Sequence, residues 1–157
     1  MVQKARNVVG KADCGYENVD RRLTGLGTVS GGCLAVAMDI MRTTIVLDAP
    51  DLDAESSFWA AMFEGTVEKD WDWHDVQVDG RSVIGIQLAP NHVRPQWPSG
   101  DQQQQLHLDL HVDDVIAADK EVVSLGATVL QTADLTKSSG FVVYADPAGH
   151  PFCLCWG

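Results

Sequence analysis

The chain has 157 residues, 45% of them hydrophobic, enough to bury one proper core. Its 22 acidic and 11 basic residues give a formal charge of −11, which repels phosphate backbones and argues against nucleic acid as a partner. No apolar run reaches the roughly 18 residues that a membrane helix needs, so no membrane partner is expected.

Four cysteines, Cys14, Cys33, Cys153 and Cys155, contain no Cys-x-x-Cys pair. Cys153 and Cys155 would share one face of a strand, which is poor disulfide geometry. A reduced, cytoplasmic setting is expected. The basic start is not followed by an apolar run, so no signal peptide is expected.

Residues 1–40 are rich in Gly, Thr, Ser and Asn and show no sustained period. They read as an N-terminal extension, either disordered or the product of a start assigned too far upstream. The domain proper is expected at 41–157. Thr43–Asp48 is β-branched and apolar, hence a strand. Asp51 or Asp53 can cap a helix that carries Phe58, Trp59, Met62 and Phe63 and stops at Gly65. Strands follow at 66–71, 74–78 and 82–89, with Asp79-Gly80 a hairpin turn. A Pro- and Gln-rich loop spans Pro90 to Gln105 and holds His92, Arg94 and Trp97. At that length it is a lid or a connector.

Leu106 to Val112 alternates apolar and polar residues with the period of a half-buried strand. Leu106, Leu108, Leu110 and Val112 would face the core. His107, Asp109 and His111 would stand in a row on the opposite face. A helix from Val115 to Leu125 follows, capped by Asp113-Asp114 and stopped by Gly126. Strands are expected at 127–131, 141–145 and 151–156, with a turn at Asp146 to Gly149. Thr44 and His107 hold equivalent places, so one β-α-β-β-β unit is repeated at an offset of roughly 60 residues.

Asp-Ala-Pro-Asp-Leu (48–52) before Phe58-Trp59, the His-x-Asp-x-His strand, Leu-Gly-Ala-Thr-Val (125–129) and Asp-Pro-Ala-Gly-His-Pro-Phe (146–152) occur in this order. Together they resemble the glyoxalase-like branch of the vicinal oxygen chelate superfamily, the glyoxalase, bleomycin resistance and dioxygenase type. The resemblance implies an α+β fold. Two βαβββ modules, about 42–89 and 106–157, would form a curved mixed sheet around a concave cavity. It also implies four metal positions in metal-dependent members, here Thr44, Gln87, His107 and Cys153. Only His107 matches the usual His/Glu ligand type, so neither a metal nor another cofactor is expected.

The row His107, Asp109 and His111 is either ligand-contacting or inert cavity lining. Asp109 could raise the pKa of its neighbours or orient one as a base. Histidines four apart on a strand lie roughly 13 Å from each other, too far to share an ion. Cys153 reads as a small core residue or as a nucleophile served by His107. Gln87 could bond a ligand or a backbone group. Trp59 and Trp156 read as core, Trp71 and Trp73 as residues near the cavity mouth, and Trp97 as a closing group. His150 reads as structural, and Asp146 and Gly149 serve turn geometry.

The expected function is metal-independent binding of a small molecule, cationic or aromatic, by a homodimer. Its contacts would be His107, Asp109, His111, Gln87, Thr44, Cys153 and Trp97. The alternative is a lyase, isomerase or dioxygenase acting on a small oxygenated substrate in the same cavity. It would use a metal near His107 or the metal-free His107–Asp109 pair. A structural module with a filled cavity is the third possibility.

Overall fold

A computed structural model describes residues 40–157. The expected extension lies outside them except for its last residue. The first module runs β1 (Ile45–Ala49), α1 (Leu52–Met62), β2 (Thr66–Lys69), β3 (Trp73–Val78) and β4 (Arg81–Leu88). The second runs β5 (Leu108–His111), α2 (Val115–Ser124), β6 (Thr128–Gln131), β7 (Gly140–Ala145) and β8 (Pro151–Trp156).

Local chemistry sets the element ends. Asp51 caps α1 by accepting the Ala54 N–H at 3.0 Å, and Asp114 caps α2 by accepting that of Ala117 at 3.0 Å. Each satisfies a donor that the first helical turn leaves open. Asp79 and Gly80 take φ of 50° and 72°, the left-handed pair that a two-residue hairpin needs between β3 and β4.

The two sheets share one topology. Their orders are β1-β4-β3-β2 and β5-β8-β7-β6. In each, the first strand pairs parallel with the last and the other pairings are antiparallel. The protein is therefore α+β, built from two similar βαβββ modules. Thr44 and His107 hold equivalent places, as the repeat predicts, but each stands one residue before the first strand of its module and not within it.

One core joins the modules. Phe58 and Trp59 of α1 pack edge-on against Phe152 of β8, with ring centroids 5.8 and 5.3 Å apart. Ile84, Ile86, Tyr144 and Leu154 complete the cluster. Burying each such side chain contributes about 1.5–3 kcal/mol, so the contact between α1 and β8 is a major part of the fold.

Some expectations need correction. The strand predicted over 106–112 is only four residues long, and Leu106 is 67% exposed instead of facing the core. β5 is a sheet edge, and its partner β8 pairs with it only from Leu108 onward. Trp156 is half-buried at the core's margin, where its indole donates to the Lys137 carbonyl at 2.9 Å. Trp71 is 71% exposed, whereas Trp73 lies across Gly85, where a Cβ would stand only 2.2 Å from its ring.

Candidate functional site

A cleft of about 470 Å³ lies between β1, β5 and the loop that joins the modules. Its lining includes Asp48 of β1, His92 and Gln104 of the loop, His107, and His150 before β8. Trp59 and Phe152 bring apolar surface to it. The expected row of three divides here. His107 lines this cleft, whereas Asp109 and His111 line a separate groove beside Met62 and Glu121. All three side chains are exposed.

His107 is held at both nitrogens. Its Nδ1 lies 2.8 Å from the Gln104 amide, and its Nε2 lies 3.3 Å from Asp109. Cys153 faces Asp109 across the β5–β8 pair. Burial, reinforced by Asp109, pushes the Cys153 thiol up to about 12. A thiol that keeps its proton at neutral pH is a poor nucleophile, which weighs against the reading in which His107 activates it. Gln87 pairs with Asp48 in register, and Thr44 precedes β1; neither lines the cleft. The indole nitrogen of Trp97, on the loop, is buried without a hydrogen-bond partner.

The densest chemistry lies at the cleft floor. Glu55 of α1 and Asp146 are fully buried, and His150 reaches both. Its Nδ1 stands 3.1 Å from Asp146 Oδ2 and 3.6 Å from Glu55 Oε1. Glu55 also accepts the Trp59 indole N–H and the Ala148 N–H, each at 2.8 Å. Asp146 Oδ1 accepts the Gly149 and His150 N–H groups at 2.8 and 2.7 Å. These bonds tie α1 of one module to the turn before β8 of the other. They offset the desolvation that two buried carboxylates suffer.

The sequence marked His150 and Asp146 as turn residues and passed over Glu55. A signal was present. Glu55 sits three residues after Leu52 and four before Trp59, on the apolar face of α1, where an acid needs a buried partner.

The three groups titrate together. Burial raises Glu55 to about 7, helped by Asp146 and opposed by His150 and Trp59. Burial lowers His150, but Asp146 and Glu55 overcome it and push it up to about 9. Burial also raises Asp146, but hydrogen bonds from His150 and Glu55 outweigh it and leave its pKa lowered. Glu55 and His150 thus have folded pKa values above their ordinary 4.5 and 6.5. Both favour the folded state while protonated. That stability fades as pH rises from 4.5 through about 7 for Glu55, and from 6.5 through about 9 for His150. Asp146 acts oppositely, and its contribution is lost only as pH falls below 3.8. The melting temperature is therefore expected to drop between about pH 4.5 and 9, and Glu55→Gln should flatten the part of that decline below about pH 7. A calorimetric scan series that finds the same slope in both proteins would contradict this assignment.

Another buried pair invites a catalytic reading and fails it. The Ser56 hydroxyl lies 2.8 Å from His74 Nδ1, and Asp53 approaches the same nitrogen at 4.0 Å. A nucleophilic triad needs its serine and its acid on opposite ring nitrogens, and Ser56 is fully buried.

A family model for the glyoxalase-like domain matches residues 44–155. The chain belongs to the glyoxalase-like family. Solved structures with this fold include the fosfomycin resistance protein FosX from Mesorhizobium loti. It is 12% identical with a TM-score of 0.55, and the match covers 77% of this chain and 94% of that one. A FosX variant from Listeria monocytogenes, complexed with Mn(II) and 1S,2S-dihydroxypropylphosphonic acid, is 15% identical with a TM-score of 0.53. That match covers 76% of this chain and 92% of the other. A glyoxalase-related enzyme from Fulvimarina pelagi is 21% identical with a TM-score of 0.55, covering 75% and 89%. At these identities the likeness establishes the fold. No curated protein matches the sequence.

The donor set decides whether a metal of the glyoxalase-like type suits this chain. Thr44 and Gln87 offer only neutral oxygens, and Cys153 puts a thiol where the family type has a His or Glu. The four positions do not fit a His/Glu-type divalent ion. Ligand atoms of His107, Asp109 and Cys153 do lie within 4.8 Å of one another, but this is a mixed three-donor set and not the His/Glu set of the family type. In the Glu55–Asp146–His150 cluster each carboxylate oxygen already accepts an N–H, so this cluster is built around protons. Among the described residues no helix is long and apolar enough to cross a membrane.

Proposed function

We propose that this glyoxalase-like protein binds a small organic molecule without the family metal. The cleft between the two modules is the observation that carries this reading. Its volume of about 470 Å³ falls within the range of small-molecule sites, and it combines apolar walls with a few convergent polar groups. Within the cleft the reading assigns ligand contact to His107 and Asp48. The loop that holds Trp97 forms its rim. Asp109, His111, Gln87, Thr44 and Cys153 lie outside the cleft lining and keep a ligand role only at the sheet faces. The apolar side chains of Val46, Leu47 and Leu106 in the lining favour the aromatic half of the expectation of a cationic or aromatic ligand.

The same reading makes 41–157 the binding domain, with 1–40 as an extension. Free Cys153 and Cys155 suit a reducing cytoplasm. A homodimer would cover Val129, Leu130 and Phe141, which stand exposed on β6 and β7.

An enzyme is the second reading. It is favoured by the contact of 3.3 Å between His107 Nε2 and Asp109, which could serve acid–base chemistry on a small oxygenated substrate. Calorimetric titration with bleomycin-type glycopeptides and with aromatic cations tests the first reading. Heat that saturates and disappears in His107→Ala is expected. No heat at millimolar ligand would overturn it. Elemental analysis of tag-free protein tests the metal: stoichiometric Zn, Ni, Mn or Fe would refute a metal-independent site.

A further inference from the structure

The cleft holds three histidines, and they are not equivalent. His107 has both nitrogens engaged, by Gln104 and Asp109. His92 gives its Nε2 to the Ala148 carbonyl at 3.1 Å and lies against the His150 ring at 4.9 Å. His150 turns its Nδ1 edge inward, to Asp146 and Glu55, both of them 0% exposed. An imidazole whose Nδ1–H is bound by a buried acid carries its Nε2 on the opposite edge. The side chain is 18% exposed, and His150 lines the cleft.

We propose that His150 is the cleft's fixed hydrogen-bond donor for a ligand carboxylate, and that the bound molecule is a small aromatic carboxylic acid. The proposal rests on the cleft being the ligand site and names the class of ligand that it takes.

Four observations support it. The lining contains no lysine or arginine, so a histidine must supply any positive charge there. Two buried carboxylates beside one imidazole favour its charged form, and Asp146 also fixes the ring's orientation. Asn91 and the run Gln102 to Gln105 line the cleft with amides, which can donate to the second carboxylate oxygen. Val46, Leu47 and Leu106 offer apolar surface for a ring. A charge-assisted bond from a pre-oriented donor is roughly twice as strong as a neutral one. The body of the ligand would rest on the apolar floor while its carboxylate reached His150. Asp48, also in the lining, would repel a carboxylate placed beside it, so the ligand's acid group would sit on His150 and away from Asp48.

Benzoate and benzamide are suitable probes, since they share shape and differ in charge. Imidazole ring resonances of uniformly nitrogen-15-labelled full-length protein give the readout and need no variant. Benzoate is expected to shift the His150 ring signals saturably at neutral pH. Benzamide should bind at least about tenfold more weakly. His150→Gln should remove the difference between the two. If benzoate and benzamide bind equally, or if benzoate shifts His107 and the loop while His150 stays unmoved, the cleft still binds ligands but His150 is not the carboxylate donor. If neither probe moves any cleft resonance, the carboxylate class is wrong; the calorimetric titrations above then judge the cleft independently.

Discussion

Asp146→Ala is expected to destabilise the folded protein by about 3–5 kcal/mol, the range for removing one partner of a buried charged network. The residue is 1% exposed, and its side chain accepts four hydrogen bonds. Alanine would leave the His150 N–H without its acceptor and the Gly149 N–H with only the Asp146 backbone carbonyl, at 3.0 Å. It would also leave a raised-pKa imidazole beside Glu55 alone. Each stranded buried donor costs about 1–3 kcal/mol, more where a charge is involved. Asp146→Asn keeps one oxygen for the turn's N–H groups and loses the charge facing His150, so it should fall between alanine and the native protein. Urea unfolding at neutral pH measures the order. A loss under about 1 kcal/mol for the alanine variant would mean that solvent reaches the cluster and that the turn holds without it.

Trp59→Ala is expected to cost about as much, roughly 3–5 kcal/mol, through a cavity instead of a lost charge partner. The indole is 1% exposed and meets three rings, Phe58, Phe63 and Phe152, at centroid distances of 5.3, 5.7 and 5.3 Å. It also donates to Glu55 at 2.8 Å. Trp59→Phe retains most of the packing and removes that donor, so it should lose about 1–3 kcal/mol. Because Trp59 links α1 to β8, both modules should unfold together in all of these proteins, in one transition with an unchanged denaturant slope. Two separated transitions in Trp59→Ala would show that the modules are independently stable and that this contact is not what unites them.

Much of the fold was legible because it depends on short-range rules. The caps at Asp51 and Asp114, the hairpin at Asp79-Gly80 and the alternation around Leu108 and Leu110 are written within a few residues of where they act. The repeat was legible for the same reason, since each module restates those signals in the same order. The candidate site was only half legible. His107 could be placed at the opening of the second module from the repeat. Its separation from His111 could be derived from strand rise. The division of Asp109 and His111 from the cleft could not, because it depends on which edges the two modules bring together.

The row His107, Asp109 and His111 was a property of the chain itself. Period two puts alternate residues on one face whatever surrounds them. Their meaning was not such a property. Glu55 stands 93 residues from the Ala148 N–H that it accepts, and Trp59 stands 87 from Asp146. No local preference couples positions that far apart; only packing α1 against β8 does. The sequence by itself therefore determined the two modules and the polar strand that opens the second. The tertiary structure decided that the buried proton cluster would gather at His150, because burial and charge act through space and not along the chain.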